Sequence, residues 1–276
     1  GFQFSRGNDP SFTLERLTGP ASSIWLAVFV LPMFLFTPDY PARHRLGAAV
    51  REGIGQLRAT LRSLPQQRDI ALFLIANMIY TDGLVSLFAF GGIYAAGTFG
   101  WNTIQIGTFG IILAAAGTLG GWLGGKLDDL LGPKRVIAGS MTLLLLAVVA
   151  ILMVSRDSIL FVPVAPAVSG GPLFASLPER AYLVLGCIIG ACGAPLQAAS
   201  RSLLIRMVPR DRVAQYFGLF ALTGKVTSFI GPLLIGIITV ATASQKAGMA
   251  VLVLFFAAGL VLLARVNAER PMGRAA

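Results

Sequence analysis

Two charged residues sit inside stretches of this chain that are otherwise apolar. Asp82 stands near the middle of the run 70–93, and Lys225 near the middle of the run 216–240. A charge at the centre of a bilayer costs roughly 2.5–3.5 kcal/mol on insertion scales, so such groups are held for a partner or for a function. At matched depth the two can form a structural ion pair that pins two helices. They can instead line a cavity in which Asp82 takes up a proton or a solute. Gln197 and Arg201 lie four residues apart, on one face of a helix, and offer an amide and a guanidinium to an anionic group such as a carboxylate. Arg201 can equally be an anchor whose head reaches the lipid interface. Just before them, Gly193 and Pro195 loosen the helix and leave carbonyls for a cavity.

Other chemistries find little support. H-E-x-x-H and G-x-S-x-G are absent, and an intramembrane aspartyl protease needs two central aspartates where only Asp82 is central. Cys187 and Cys192 point to different faces of one helix, which suggests neither a disulfide nor a metal site. No enzyme activity, cofactor or metal is therefore expected.

The elements that must position these residues are membrane-spanning helices. The chain is 55% hydrophobic and 12% charged, with a mean hydropathy of +0.77, whereas soluble domains carry about 25% charged residues. A span needs about 20 apolar residues. Seven runs qualify: 22–36 extended by 17–21, then 70–93, 104–125, 136–154, 181–205, 216–240 and 247–266. Between the first two, Leu46, Val50, Ile54, Leu57, Leu61 and Leu64 recur at steps of three and four, with Arg45, Arg51, Arg58 and Arg62 largely opposite. That spacing predicts an amphipathic helix, lying on the membrane surface or against the helix ends, or else serving only as a solvated linker. His44 before it reads as a solvent-exposed loop residue. The segment 155–180 carries Pro163, Pro166, Pro172 and Pro178, and its apolar patch 159–164 is expected to rest on the bundle end. The chain opens without methionine on a polar segment, as an internal piece of a longer protein would.

The net charge of +10 does not point to nucleic acid, because the basic residues cluster in the short loops between apolar runs. Sixteen of the 22 lysines and arginines fall on one side and five on the other, with Lys225 left inside a span. The positive-inside rule then puts the start outside and the C-terminus in the cytoplasm.

The glycine-rich run from Gly107 organises the chain. Gly117, Gly121 and Gly125 are spaced to place small residues on one helical face, where another backbone can approach closely. The run is expected to stop in a charged turn containing Lys126, Asp128, Asp129, Lys134 and Arg135.

That turn, Gly125-Lys-Leu-Asp-Asp129-Leu-Leu-Gly132-Pro-Lys134-Arg135, resembles the signature of major facilitator superfamily transporters between the second and third helices of each six-helix half. It departs from the signature at Leu130, where the family often has a basic residue. Tyr80-Thr81-Asp82-Gly83, the stretch from Gly193 to Ser202, and Phe217-Gly218, Gly224-Lys225 and Gly231-Pro232 are similar to the vacuole-effluxer-like (Atg22-like) branch. The branch usually has Asn where Thr81 stands. The resemblance implies an all-α twelve-helix transporter. Of it, this chain would hold an external loop with the sixth helix (1–36), the central cytoplasmic linker (37–69), the C-terminal six-helix bundle (70–268) and a tail (269–276). The first five helices of the same polypeptide would be missing. It further implies a secondary transporter of a small-molecule solute, proton-coupled and working by alternating access in a lipid bilayer, which we expect to be a bacterial inner membrane. Asp82, Lys225, Gln197, Arg201 and Tyr80 would serve the cavity. Gly125, Asp129, Gly132, Lys134 and Arg135 would form the cytoplasmic gate. A receptor or scaffold that does not transport is the alternative.

Overall fold

The computed structural model describes residues 10–37, 46–159, 162–164 and 173–267. His44, Pro166, Pro172 and the tail 269–276 lie outside the described residues. The helices are α1 (Pro10–Phe36), α2 (Leu46–Ser63), α3 (Arg68–Phe99), α4 (Thr103–Leu131), α5 (Pro133–Leu152), α6 (Leu177–Met207), α7 (Val213–Val226), α8 (Ile230–Thr242) and α9 (Gln245–Ala264). Among the described residues seven stretches are long and apolar enough to cross a membrane, α7 and α8 together making one of them. The chain is an all-α polytopic membrane protein. Several helices outrun the apolar runs in the sequence, because a helix continues past the hydrocarbon wherever its backbone has no reason to stop.

The chain divides into two units, 1–52 and 53–276. In the first, α1 exposes Trp25, Phe29, Phe34 and Phe36, as befits a helix hydrophobic all round. In the second, helices α3 to α9 surround a core that includes Phe73, Tyr80, Ile137, Leu144, Leu196 and Phe256, all essentially inaccessible. Leu57 packs against this core and Thr60 is buried, whereas Ile54 and Leu61 are exposed. The expected amphipathic face is therefore only partly used.

The tightest seam joins α4 to α6. A Cβ on Gly120 would strike the backbone of Ala191, one on Gly124 the ring of Pro195, and one on Gly190 the backbone of Leu113. Gly117 and Gly121 also face α6, but Gly125 has nothing within 4 Å. The expected three-glycine face is thus corrected at one position. At about 100° per residue, four-residue steps drift by about 40° each, so Gly125 lies about 80° from Gly117, whereas Gly124 lies within about 20°.

At one end of the bundle Trp101 anchors an aromatic cluster, with Phe174 at 4.9 Å, Phe109 at 5.3 Å and Tyr182 at 5.5 Å between ring centroids. Its indole Nε1 donates to Glu179 Oε1 at 2.9 Å. The other carboxylate oxygen of Glu179 accepts from the Ser176 hydroxyl and backbone N–H. Ser176 in turn accepts from the Glu179 N–H, closing a capping box at the start of α6. Nearby, Ser158–Ile159 pairs antiparallel with Val162–Pro163, a small hairpin where only an apolar patch was expected. Ile159 packs against the core while Val162 is exposed.

Candidate functional site

The fifth span of the second unit is not one helix. α7 ends at Val226, residues 227–229 form turns, and α8 resumes at Ile230. Two local causes coincide. Thr227 and Ser228 hydrogen-bond backward along the chain, to Thr223 O at 3.5 Å and Lys225 O at 2.9 Å, and such bonds compete with the helical ladder. Pro232 carries no N–H for the Ser228 carbonyl one turn back. The Ile230 N–H reaches Thr227 O at 2.8 Å instead. The sequence reading had a single span over 216–240.

Asp82 faces this break. It lies in mid-α3 and is only 2% exposed, with the Thr227 side chain as its polar neighbour. One turn further on, Ser86 is wholly buried, and a Cβ on Gly231 would meet the Ser86 hydroxyl and the Asp82 carbonyl. Asp82 thus stands level with Thr227, and Ser86 with Gly231. Asp82 Oδ1 and Ser86 Oγ have no hydrogen-bond partner. On the other side of α3, Gly83 admits Phe255 of α9. The result is a single carboxylate in an apolar interior, beside a helix whose ladder is interrupted. A buried carboxylate in such surroundings is held neutral by a proton or balanced by a cation.

The other expected cavity residues do not converge on Asp82. Lys225 is exposed, and no ion pair joins it to Asp82, in contrast to Arg206–Asp128 and Arg212–Asp211, which do pair. Lys225 precedes Thr227 by two residues, about 200° around the helix, so when Thr227 meets Asp82 the lysine points away. Gln197 and Arg201 do share a face of α6, and both are exposed there. Tyr80 was expected at the cavity but is buried in the core. Its hydroxyl lies 2.6 Å from Ser200 Oγ, and since Ser200 donates to Leu196 O at 2.6 Å, Tyr80 donates to Ser200.

The signature turn lies between α4 and α5. α4 stays helical to Leu131, and the chain reverses at Gly132, whose φ of 83° suits glycine. Lys126, Asp128 and Asp129 therefore belong to the end of α4 rather than to a loop. Asp128 is within 3.9 Å of Arg206 on α6, whereas Asp129 is exposed. One residue is about 100° of rotation, and only Asp128 is turned toward α6. Lys134 donates to Val266 O at 2.7 Å and Ala264 O at 3.5 Å. It caps the end of α9, where orphan carbonyls and the helix dipole favour a cation. Asp69 accepts from the Asn267 N–H at 2.9 Å, tying α3 to the same end. Arg135 and Gly125 make no such link: Arg135 and Gly125 are both exposed. Lys134→Met should therefore loosen the end of α9, with a loss of about 1 kcal/mol, while Lys134→Arg should retain most of it. Amide hydrogen exchange at 262–266 checks this; unchanged protection in the methionine variant would refute it.

Ser86, Thr227 and Arg206 were not singled out from the sequence, and Asp128 was named only as one charge of the turn. The only available signal was spacing: Ser86 is one turn after Asp82, and Thr227 one turn before Gly231.

Residues 16–276 match the family described as vacuole effluxer Atg22-like. The chain is 24% identical over 275 residues to autophagy-related protein 22-1 of Neosartorya fischeri, covering 95% of this chain and 44% of that protein. It is 25% identical over 264 residues to autophagy-related protein 22 of Cryptococcus neoformans, covering 92% and 44%. It is 22% identical over 257 residues to an uncharacterised transporter of the major facilitator type, YxiO of Bacillus subtilis, covering 90% and 53%. The chain spans about half the length of the curated relatives it matches. With the glycine-sealed helices, the charged turn at Gly132 and the match over nearly its whole length, the chain belongs to the vacuole effluxer Atg22-like branch of the major facilitator superfamily.

Proposed function

We propose that this chain is the second half, with its preceding helix and linker, of a secondary transporter that moves a small solute across a membrane by alternating access. The observation that carries this reading is Asp82, a buried carboxylate with an unpartnered oxygen beside a broken span. An intramembrane acid of this kind is a coupling site for a proton, and irregular backbone at membrane depth belongs where it faces a cavity or a bound ion. The solute is of the amino-acid or small-metabolite class, and the family's description as an effluxer supports outward movement. Five further helices of the same polypeptide complete the cavity. Gln197 and Arg201, exposed on α6, offer a face for a carboxylate on the solute. The basic end of the bundle lies in the cytoplasm, by the positive-inside rule, and the membrane is a bacterial inner membrane. The Asp128–Arg206 and Lys134–α9 links hold the cytoplasmic ends of helices together in one access state.

The test is reconstitution of the full-length parent in liposomes. Solute accumulation should follow an imposed pH gradient, and Asp82→Asn should abolish that accumulation. Unchanged pH dependence in the variant would dismiss the role of Asp82, and solute binding without flux would make the protein a receptor.

A further inference from the structure

We propose that the junction between α3 and the break at 227–229 binds a monovalent cation of sodium size, in competition with the proton, through Asp82, Ser86 and Thr227. This deepens the reading above and rests on Asp82 as its coupling group.

Two buried oxygens point to it. Asp82 Oδ1 and Ser86 Oγ belong to side chains 2% and 0% exposed, and neither has a hydrogen-bond partner. They come from residues one turn apart on the same side of α3. They do not bond to each other, which leaves the lone pairs of both open to an ion. In this arrangement a proton on Asp82 Oδ1 would find no acceptor, and the Ser86 hydroxyl has no partner either; both buried polar groups are left unserved, which is costly. A metal cation draws lone pairs from all of them. The break supplies the rest of a shell. Interrupted helices in transporters offer unwound carbonyls to Na⁺, and Pro232 deprives the Ser228 carbonyl of its helical donor.

The charge balance sets the valence. One carboxylate neutralises one positive charge. The surroundings add no other: Gly231 of α8 lies against Ser86, Phe255 of α9 lies against Gly83, and Lys225 of α7 is exposed. A divalent ion would leave a net charge in an apolar interior. Among the described residues no three His, Cys, Asp or Glu converge to hold a metal, and an all-oxygen donor set suits a hard ion. All three side chains belong to the unit 53–276, so binding is readable on this chain.

The experiment is thermal unfolding of the purified chain in detergent at pH 8, in NaCl, KCl or choline chloride at equal ionic strength, paired with radioactive sodium binding. Sodium should raise Tm saturably and choline should not. Asp82→Asn should remove the sodium response, and Ser86→Ala should raise the half-saturating sodium concentration by about tenfold, the loss of roughly one good ligand. Acidification should shift the wild-type curve to higher sodium. Equal Tm in sodium and choline, or an intact response in Asp82→Asn, overturns the proposal. Should Asp82→Asn fail to fold, unchanged half-saturation in both Ser86→Ala and Thr227→Val overturns it as well. A chain blind to sodium whose parent still shows Asp82-dependent, pH-driven flux removes the sodium site and leaves the transport reading standing. Sodium binding without flux does the reverse.

Discussion

Gly120→Val is expected to prevent the bundle from assembling. The Cβ of any residue at 120 would meet the backbone of Ala191, and a backbone cannot rotate aside as a side-chain tip does. Overpacking a well-packed interior costs about 1–3 kcal/mol where side chains can adjust, and here α4 and α6 must separate along their whole length. Separation would undo the contacts of Gly117, Gly121, Gly124 and Gly190 in the same step. A loss of about 3 kcal/mol or more follows. Gly125→Val is the control, since nothing lies within 4 Å of that position, and its cost should stay within about 0.5 kcal/mol. Size-exclusion profiles and helical circular dichroism of the two variants check the pair. Equal behaviour would show that the seam does not govern assembly.

Glu179→Ala should have the next largest effect on stability. The carboxylate takes the Trp101 indole N–H on one oxygen and both Ser176 donors on the other, and it is 6% exposed. Truncation leaves a buried indole donor unserved, at about 1–3 kcal/mol, and removes half of a capping box, at about 1 kcal/mol. The ring cluster around Trp101 should loosen with it. The variant should unfold at lower temperature, and its tryptophan emission should move to longer wavelength. An unchanged melting temperature would mean that the far end of the bundle is held by its rings alone. Glu179→Gln should lose less than Glu179→Ala, since its amide oxygen can still accept from Trp101.

The membrane architecture was legible because hydropathy reports which stretches are long and apolar enough to span a bilayer. The site was only partly legible, because depth says nothing about rotation. Asp82 stood out as the sole central acid, and it does occupy a buried polar position in the interior. Its pairing with Lys225 was inferred from equal depth. The structure breaks the helix between Lys225 and Gly231, and Thr227 rather than the lysine faces α3. The same kind of error separates Asp128 from Asp129: the charges were visible, but which one meets Arg206 depends on how far α4 continues before Gly132. Gly125 fell outside the seam because a repeat of four is not the period of a helix. Tyr80 was recognised by the company it keeps in the sequence, and only packing shows that it turns inward to Ser200.

At Gly117, Gly120 and Gly190 the α4–α6 contact is backbone against backbone, and beside them only Ala194 and the stiff ring of Pro195 meet the glycines Gly121 and Gly124. Two helices joined that way behave as a single beam. Whatever bending the molecule undergoes during its working cycle must be taken up elsewhere, and the three residues 227–229, which already lack a helical ladder, are the compliant part of the frame. The rigid beam and the soft joint lie on different helices, so a substitution that stiffens the joint should slow the cycle without unfolding the beam.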